Sequence, residues 1–142
     1  MTTEEFIRHL NANPPPAMRT LGGKVVDFDR EGRHARLTFT ADASMCNPDE
    51  GVQGGFICGM LDAAMAFTVY CMLCEAAIVA TLEIKVSYLD ITRQGELHAR
   101  GSVIRPGKTV TFLEAELRDT GGKLLATATS TARVIRKDQA AS

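Results

Sequence analysis

The sequence has little of what marks a nucleic-acid-binding or an exported protein. Its 142 residues carry a net charge of −1, and no run of Lys or Arg is longer than two residues, so a nucleic-acid partner has no electrostatic support. The first ten residues, MTTEEFIRHL, are acidic and amphipathic and lack the apolar core of a signal peptide. We therefore expect a cytoplasmic protein.

Histidine and cysteine are too few and too scattered for a metal centre. The chain has three His and four Cys, and no second Cys pair is spaced to complete a zinc site with the CxxC of Cys71 and Cys74. That pair lies inside an apolar helical run, so we interpret the cysteines as reduced packing residues. We expect no metal and no redox cofactor.

One long apolar run covers residues 55–74, and its only charged side chain is Asp62. The run is long enough to cross a bilayer. However, a carboxylate in mid-span is costly, no basic flank marks a cytoplasmic side, and water-soluble strand patterns follow at once. We predict a core helix wrapped by a sheet, with no membrane partner.

The rest of the chain reads as a short helix and six strands. Thr2 and Glu5 form a capping-box pattern for a helix ending near Leu10, and three successive prolines make residues 11–20 an extended connector. Alternating apolar residues and turn signals bound the other elements. The predicted strands are 24–29, 33–40, 81–89, 96–105, 109–119 and 123–135, and the long helix spans 54–75.

This element order predicts an α+β fold, an antiparallel sheet around one long central helix. Residues 1–20 are an N-terminal helix and proline-rich connector, 21–136 the domain proper, and 137–142 a disordered tail. Strict alternation over 81–89 predicts two faces. One face carries Leu82, Ile84, Val86 and Tyr88, and the other Thr81, Glu83, Lys85 and Ser87.

The segment NPDEGVQGGFICGMLD, residues 47–62, carries a recognisable pattern. An Asn, a Gly-containing turn, a His-Gly-Gly triplet and an Asp nine residues after the His are typical of hotdog-fold thioesterases. This chain has Asn47, Gly51, Gln53-Gly54-Gly55 and Asp62 at those spacings. Together with the later VIRPGKTVTFLEAEL, the sequence resembles the PaaI-type acyl-CoA thioesterases from about residue 20 to 136.

The resemblance implies a role for each matching residue. The Gly54 N–H would hold the substrate carbonyl, Asn47 would support the active-site turn, and Gly55 would contact the substrate. Asp62 would be the general base or nucleophile, Thr81 would orient the attacking water, and Gln53 would take the place of the catalytic His. The turn of Arg105, Pro106, Gly107 and Lys108 resembles the family segment that meets the CoA phosphates. Simpler interpretations stay open: glycines needed for packing, an Asp satisfied by neighbouring backbone or hydroxyl groups, an ordinary strand threonine and a solvated turn.

Gln53 departs from the family pattern, which has His at this position. Glutamine keeps a donor and an acceptor but cannot exchange protons near neutral pH. A CoA thiol with a pKa of about 8.5 can leave as a thiolate without a strong acid. The change is therefore tolerable for a thioester and damaging for a poorer leaving group.

Distance along the helix predicts the assembly. Asp62 follows Gly54 by eight residues, or roughly 12 Å at 1.5 Å per residue, whereas reacting atoms must approach to about 3–3.5 Å. Asp62 must therefore serve the Gly54 of another chain, as in the family, whose sites lie at a dimer interface. We expect a homodimer, doubled to a tetramer.

These observations predict hydrolysis of an acyl-CoA thioester, with coenzyme A entering only as part of the substrate. Two other functions stay open. One is a hotdog protein that binds acyl-CoA or another apolar ligand without turnover. This function stays open because Gln53 replaces the family's His. The other is a hydratase or dehydratase, which is disfavoured because such enzymes use a His and none lies near the helix.

Overall fold

The computed structural model describes residues 1–75 and 77–136, so the predicted disordered tail, residues 137–142, lies outside the described residues. Two short helices precede a first strand pair, a 3-10 turn at Ala43–Met45 and one long helix, and four strands follow. The elements are α1 (Thr3–Ala12), α2 (Pro16–Thr20), β1 (Lys24–Asp29), β2 (His34–Ala41), α3 (Gly54–Leu73), β3 (Ala77–Tyr88), β4 (Gly95–Arg105), β5 (Val110–Arg118) and β6 (Leu124–Arg136).

The first helix begins as predicted. The Thr2 hydroxyl accepts from the Glu5 N–H at 3.1 Å, and the Glu5 carboxylate accepts from the Thr2 N–H at 2.8 Å, which is the reciprocal capping box. The expectation of an extended connector over residues 11–20 is wrong. α1 continues to Ala12, and Pro16 opens α2 as its first helical residue, a position where the missing proline N–H costs no hydrogen bond.

The six strands form one antiparallel sheet in the order β1-β2-β4-β5-β6-β3, so β1 and β3 are its edges. Alternate side chains of the strands are buried against α3, as in Leu97, Ala99 and Val103 of β4. The predicted fold class, an antiparallel sheet wrapped around one central helix, is confirmed. The strand boundaries agree with the predicted ones to within one residue, except that β3 begins earlier, at Ala77.

The sheet and the helix pack closely together at Gly101. A Cβ at this position would lie 2.5 Å from both the Ala64 carbonyl oxygen and the Thr68 hydroxyl, so only glycine fits. Around this contact, α3 contributes its large side chains to the core. The fully buried ones include Met60, Leu61, Met65 and Val69.

The C-terminal end of α3 is closed by a side chain from the first hairpin. Arg30 donates to the carbonyl oxygens of Met72 at 3.0 Å and Cys71 at 3.2 Å, which satisfies acceptors that every helix end leaves free. The helix stops at Leu73, two residues before the predicted end, because Cys74 adopts a left-handed conformation with φ of 51°.

Among the described residues, α3 is the one helix with the length and hydropathy to cross a membrane. A core helix of a soluble protein meets the same two criteria, and half of its most apolar window is buried within the domain. Its contacts with the sheet make it the central helix of the fold.

Candidate active site

A folded loop fixes the point at which α3 begins. The Asn47 side-chain oxygen accepts from the N–H groups of Asp49 at 3.0 Å and Gly51 at 3.1 Å, and the Gly51 carbonyl accepts from the Asn47 N–H at 2.8 Å. Gln53 then donates its N–H to the Met45 carbonyl. Asn47 therefore organises the turn that leads into the helix.

The N-terminal end of α3 is left open, in contrast with its capped C-terminal end. Gln53 occupies the N-cap position, and its exposed side chain makes no capping hydrogen bond. Its carbonyl accepts from the N–H groups of Phe56 and Ile57. Within residues 1–75 and 77–136, the N–H groups of Gly54 and Gly55 have no acceptor, so both are free to donate to a ligand.

Tyr88 contacts this helix start and was missed by sequence reasoning. Its hydroxyl donates to the Gly54 carbonyl oxygen at 2.7 Å. Its ring lies so close that a Cβ on Gly54 would be 3.2 Å from the Tyr88 Cζ and Oη atoms. Burial and then the neighbouring Cys58 raise the pKa of the Tyr88 phenol, so the hydroxyl is a hydrogen-bond donor at neutral pH.

Asp62 and Thr81 are brought together as predicted from the resemblance. The Thr81 hydroxyl donates to the Asp62 carboxylate at 2.6 Å. Asp62 is half-buried rather than enclosed, and its other carboxylate oxygen, Oδ2, accepts no hydrogen bond from the described part of the chain. The pair therefore combines a held carboxylate with an oxygen that a water molecule can reach.

The prediction that Thr81 faces away from Ile84, Val86 and Tyr88 is wrong. In β3, Thr81 pairs with Ala132 and Glu83 pairs with Thr131, so one residue between them, Leu82, has no partner on β6. This β-bulge reverses the alternation. Thr81 therefore lies on the same side as Tyr88, against α3, and Leu82 is 57% exposed.

Cys58 lies on the same stripe of α3, one turn after Gly54 and one turn before Asp62. Its side chain is half-buried. Burial and then the Asp62 carboxylate raise the pKa of the Cys58 thiol. The thiol therefore stays protonated at neutral pH, and Asp62 is the one acidic residue on this stripe.

The turn predicted to meet CoA phosphates lies at the other end of α3. Gly107 and Lys108 line a cavity of about 240 Å³ whose walls include Val69, Met72 and Leu73. Since Val69 follows Gly54 by fifteen residues, the turn is roughly 22 Å along α3 from its own Gly54. A Cβ on Gly107 would lie 2.1 Å from the Val110 carbonyl oxygen, so the turn requires glycine there.

Arg105 and Lys108 are exposed, and neither has a carboxylate partner among the described residues. Near the same end of α3, Arg136 lies 3.3 Å from the Glu75 carboxylate. The turn therefore presents two cations to solvent. No group of three His, Cys, Asp or Glu side chains within the described ranges is placed to hold a metal ion.

The sequence matches the family described as Thioesterase superfamily over residues 52–126. This segment contains the helix start, Asp62 and Thr81, and it is more than half of the chain. The chain belongs to the thioesterase superfamily. The chemistry of this superfamily is thioester hydrolysis, and the chain has the hotdog fold of its PaaI-type members.

Solved structures agree with this assignment to the thioesterase superfamily. A phenylacetic acid degradation-related protein from Ralstonia eutropha JMP134 is 33% identical, with a TM-score of 0.82 over 94% of this chain and 99% of the other. The E. coli PaaI protein from the phenylacetic acid degradation operon is 19% identical, with a TM-score of 0.81 over 94% of each chain. Thioesterase HI1161 from Haemophilus influenzae is 21% identical, with a TM-score of 0.79 over 96% and 92%. A search of the curated proteins gave no match.

Proposed function

We propose that the protein hydrolyses acyl-CoA thioesters to the free acid and coenzyme A. The observation that carries this proposal is the pairing of two features on one helix: free N–H groups at Gly54 and Gly55, and a carboxylate at Asp62 held by Thr81. The first can bind a developing oxyanion, and the second can take a proton from water.

The Asp62–Thr81 pair supplies the attacking group. Thr81 donates to one carboxylate oxygen. The other oxygen can accept a proton from the attacking water, or it can attack the thioester carbonyl, expel the CoA thiolate and form a mixed anhydride that water then hydrolyses. A hydroxyl can also accept a hydrogen bond from that water while it donates to the carboxylate. Thr81 thereby fixes both the carboxylate and the water.

The open start of α3 supplies the oxyanion site. The Gly54 and Gly55 N–H groups lie at the positive end of the helix dipole, and no Cβ prevents a thioester carbonyl from approaching them. The exposed Gln53 side chain is available to hydrogen-bond the substrate. It does not need to protonate the leaving group, because a CoA thiol with a pKa of about 8.5 leaves as a thiolate.

Two copies of the chain are needed to assemble one site. Gly54 and Asp62 are roughly 12 Å apart along α3, too far for Asp62 to act on a carbonyl held by its own helix. An antiparallel second copy of α3 would place its Gly54 beside this Asp62, and the reverse. The chain thus forms a homodimer with two identical shared sites, and dimers of this kind can pair into a tetramer.

Two surfaces favour this pairing. The side of α3 away from the sheet carries small, incompletely buried residues at Gly55, Gly59, Ala63 and Ala66, and small side chains let two helices approach closely. The edge strand β3 exposes about half of Ile78, Leu82 and Tyr88. A long apolar strand at an open sheet edge is suited to pair with another chain.

The same pairing gives the turn 105–108 its role. The turn lies beyond Asp62 toward the C-terminal end of α3, and therefore just outside the neighbouring copy's helix start. An elongated CoA moiety leaving the shared site in that direction would reach Arg105 and Lys108. Coenzyme A is part of the substrate, and we propose no metal or redox cofactor and a cytoplasmic location.

Mixing two inactive variants tests the shared site. Asp62→Asn removes the carboxylate, and Gly54→Pro removes the Gly54 N–H. When the two are unfolded together and refolded at equal amounts, half of the dimers are mixed and each has one intact site, so about a quarter of wild-type turnover should return. Each variant refolded alone is the control. If the mixture stayed as inactive as its components, both residues would have to act within one chain.

Removing the cations of the turn should weaken substrate binding. We expect Arg105→Gln with Lys108→Gln to raise KM for acyl-CoA by about tenfold, because exposed contacts of a cation with phosphate contribute about 1 kcal/mol or less each. The kcat should stay close to wild type, and the difference in KM should shrink at high salt. The matched control is Arg19→Gln with Lys24→Gln, which changes the charge equally on another part of the surface. A KM unchanged by the first pair would show that the turn does not contact CoA.

A panel of acyl-CoA compounds with a thiol reagent tests the reaction itself. Catalytic release of thiol supports hydrolysis, and the preferred compound defines the acyl group. Saturable binding without release would instead establish an acyl-CoA-binding protein, the alternative that stays open because Gln53 replaces the usual His.

A further inference from the structure

We propose that Tyr88 is a positioning residue for the oxyanion site: through its hydrogen bond to the Gly54 carbonyl it fixes the peptide unit that carries the Gly55 N–H. This inference rests on the proposed function and adds a residue to its machinery. It starts from the 2.7 Å contact between the Tyr88 hydroxyl and the Gly54 oxygen.

The helix start needs an external restraint. Gly54 and Gly55 have the widest range of backbone conformations of any residue type, and their N–H groups have no acceptor within the described ranges. The N-cap side chain of Gln53 also makes no hydrogen bond there. Without another contact, the backbone of the first turn of α3 would therefore be the least restrained part of the helix. This is the turn whose Gly54 and Gly55 N–H groups must point in one direction.

Tyr88 supplies this restraint in two ways. Its ring lies against the Gly54 backbone at a distance that leaves little room even for a Cβ, and its hydroxyl binds the carbonyl of the peptide between Gly54 and Gly55. The N–H of that same peptide belongs to Gly55. A hydrogen bond to the carbonyl of an amide also polarises its N–H and makes it a better donor.

Donors held in place before the reaction need no rearrangement when the oxyanion forms. Tyr88 thereby contributes to the rate without touching the substrate. Its hydroxyl remains protonated through the neutral pH range, since its pKa is raised above the usual value by burial and by Cys58. Tyr88 follows the bulge in β3, so the strand that presents Thr81 to Asp62 also presents Tyr88 to Gly54.

Tyr88→Phe tests this inference by removing only the hydroxyl. We expect kcat to fall about fivefold, the equivalent of one ordinary hydrogen bond, with KM unchanged. The matched control is Tyr70→Phe, which removes the hydroxyl of the only other tyrosine in the chain, sixteen residues along α3 from Gly54, and should leave kcat unaltered. In ¹H–¹⁵N NMR spectra, the chemical shift of the Gly55 amide should change in Tyr88→Phe and stay the same in Tyr70→Phe.

A second background separates positioning from simple folding support. Gly55→Pro removes the N–H that Tyr88 is proposed to hold, at a first-turn position of the helix that tolerates proline, so Tyr88→Phe should lower kcat by less than about twofold in that background. A full fivefold loss in that background, or an unaltered kcat and Gly55 signal in Tyr88→Phe alone, would overturn the inference while leaving hydrolysis by the wild type in place. A wild type without turnover would instead overturn the proposed function and this inference with it.

Discussion

Replacement of Asp62 by Asn should lower kcat for acyl-CoA hydrolysis by about 10²-fold or more. Asparagine has the same shape, and its side-chain oxygen can still accept from Thr81, whose hydroxyl now lies 2.6 Å from the carboxylate. The fold and the dimer should therefore persist. What disappears is the group able to take a proton from water or to attack the thioester.

The comparison with Thr81 makes this prediction specific. Thr81→Ala keeps the carboxylate but removes the hydroxyl that orients it, so its loss in kcat should be smaller than that of Asp62→Asn. Steady-state rates for both variants, with circular dichroism and sedimentation to verify fold and dimer, provide the measurement. If Asp62→Asn hydrolysed the substrate at a near-normal rate, Asp62 could not be the base or the nucleophile.

Gly54→Pro should lower kcat by about 10²–10³-fold, the loss measured when one oxyanion donor is removed from other hydrolases. Proline is well suited to the first position of a helix, which Gly54 occupies. Gln53 before it has φ of −59° and ψ of 136°, a conformation that a following proline allows. The substitution therefore removes the Gly54 N–H while the helix can still begin at the same residue.

Gly54→Ala is the matched control for the missing N–H. Alanine and proline both place a Cβ about as close to Tyr88, where the Cζ and Oη atoms lie 3.2 Å away, but only alanine keeps the N–H. We therefore expect Gly54→Ala to lose much less rate than Gly54→Pro, measured as kcat on the same substrate. Equal losses would assign the effect to crowding and not to the oxyanion donor.

The main elements of the fold could be predicted from the sequence because each has a strong local signal. Alternating apolar residues define the strands, and the run after Gly54 defines α3 with its correct first residue. The connector was different. Three prolines exclude the continuation of α1, but they do not exclude a new helix, and Pro16 begins one.

Part of the candidate site could be predicted from the sequence. The part that could not be predicted depends on tertiary contacts. The spacing of Gly54 and Asp62 is a property of one helix, so it could be read directly and their separation estimated. The face of Thr81 could not, because a bulge at Leu82 leaves no trace in the alternation of side chains. The Tyr88 bond to Gly54 joins residues 34 positions apart and follows from how β3 crosses the helix start.

The bulge has a consequence for how the two reaction centres of a dimer behave. In the dimer that we propose, Asp62 and Gly54 of one subunit serve different reaction centres, and β3 contacts the first through Thr81 and the second through Tyr88. A single strand, β3, therefore contacts both reaction centres. A shift of β3 along its axis would move Thr81 at one centre and Tyr88 at the other. We therefore expect substrate binding at one centre to affect the other.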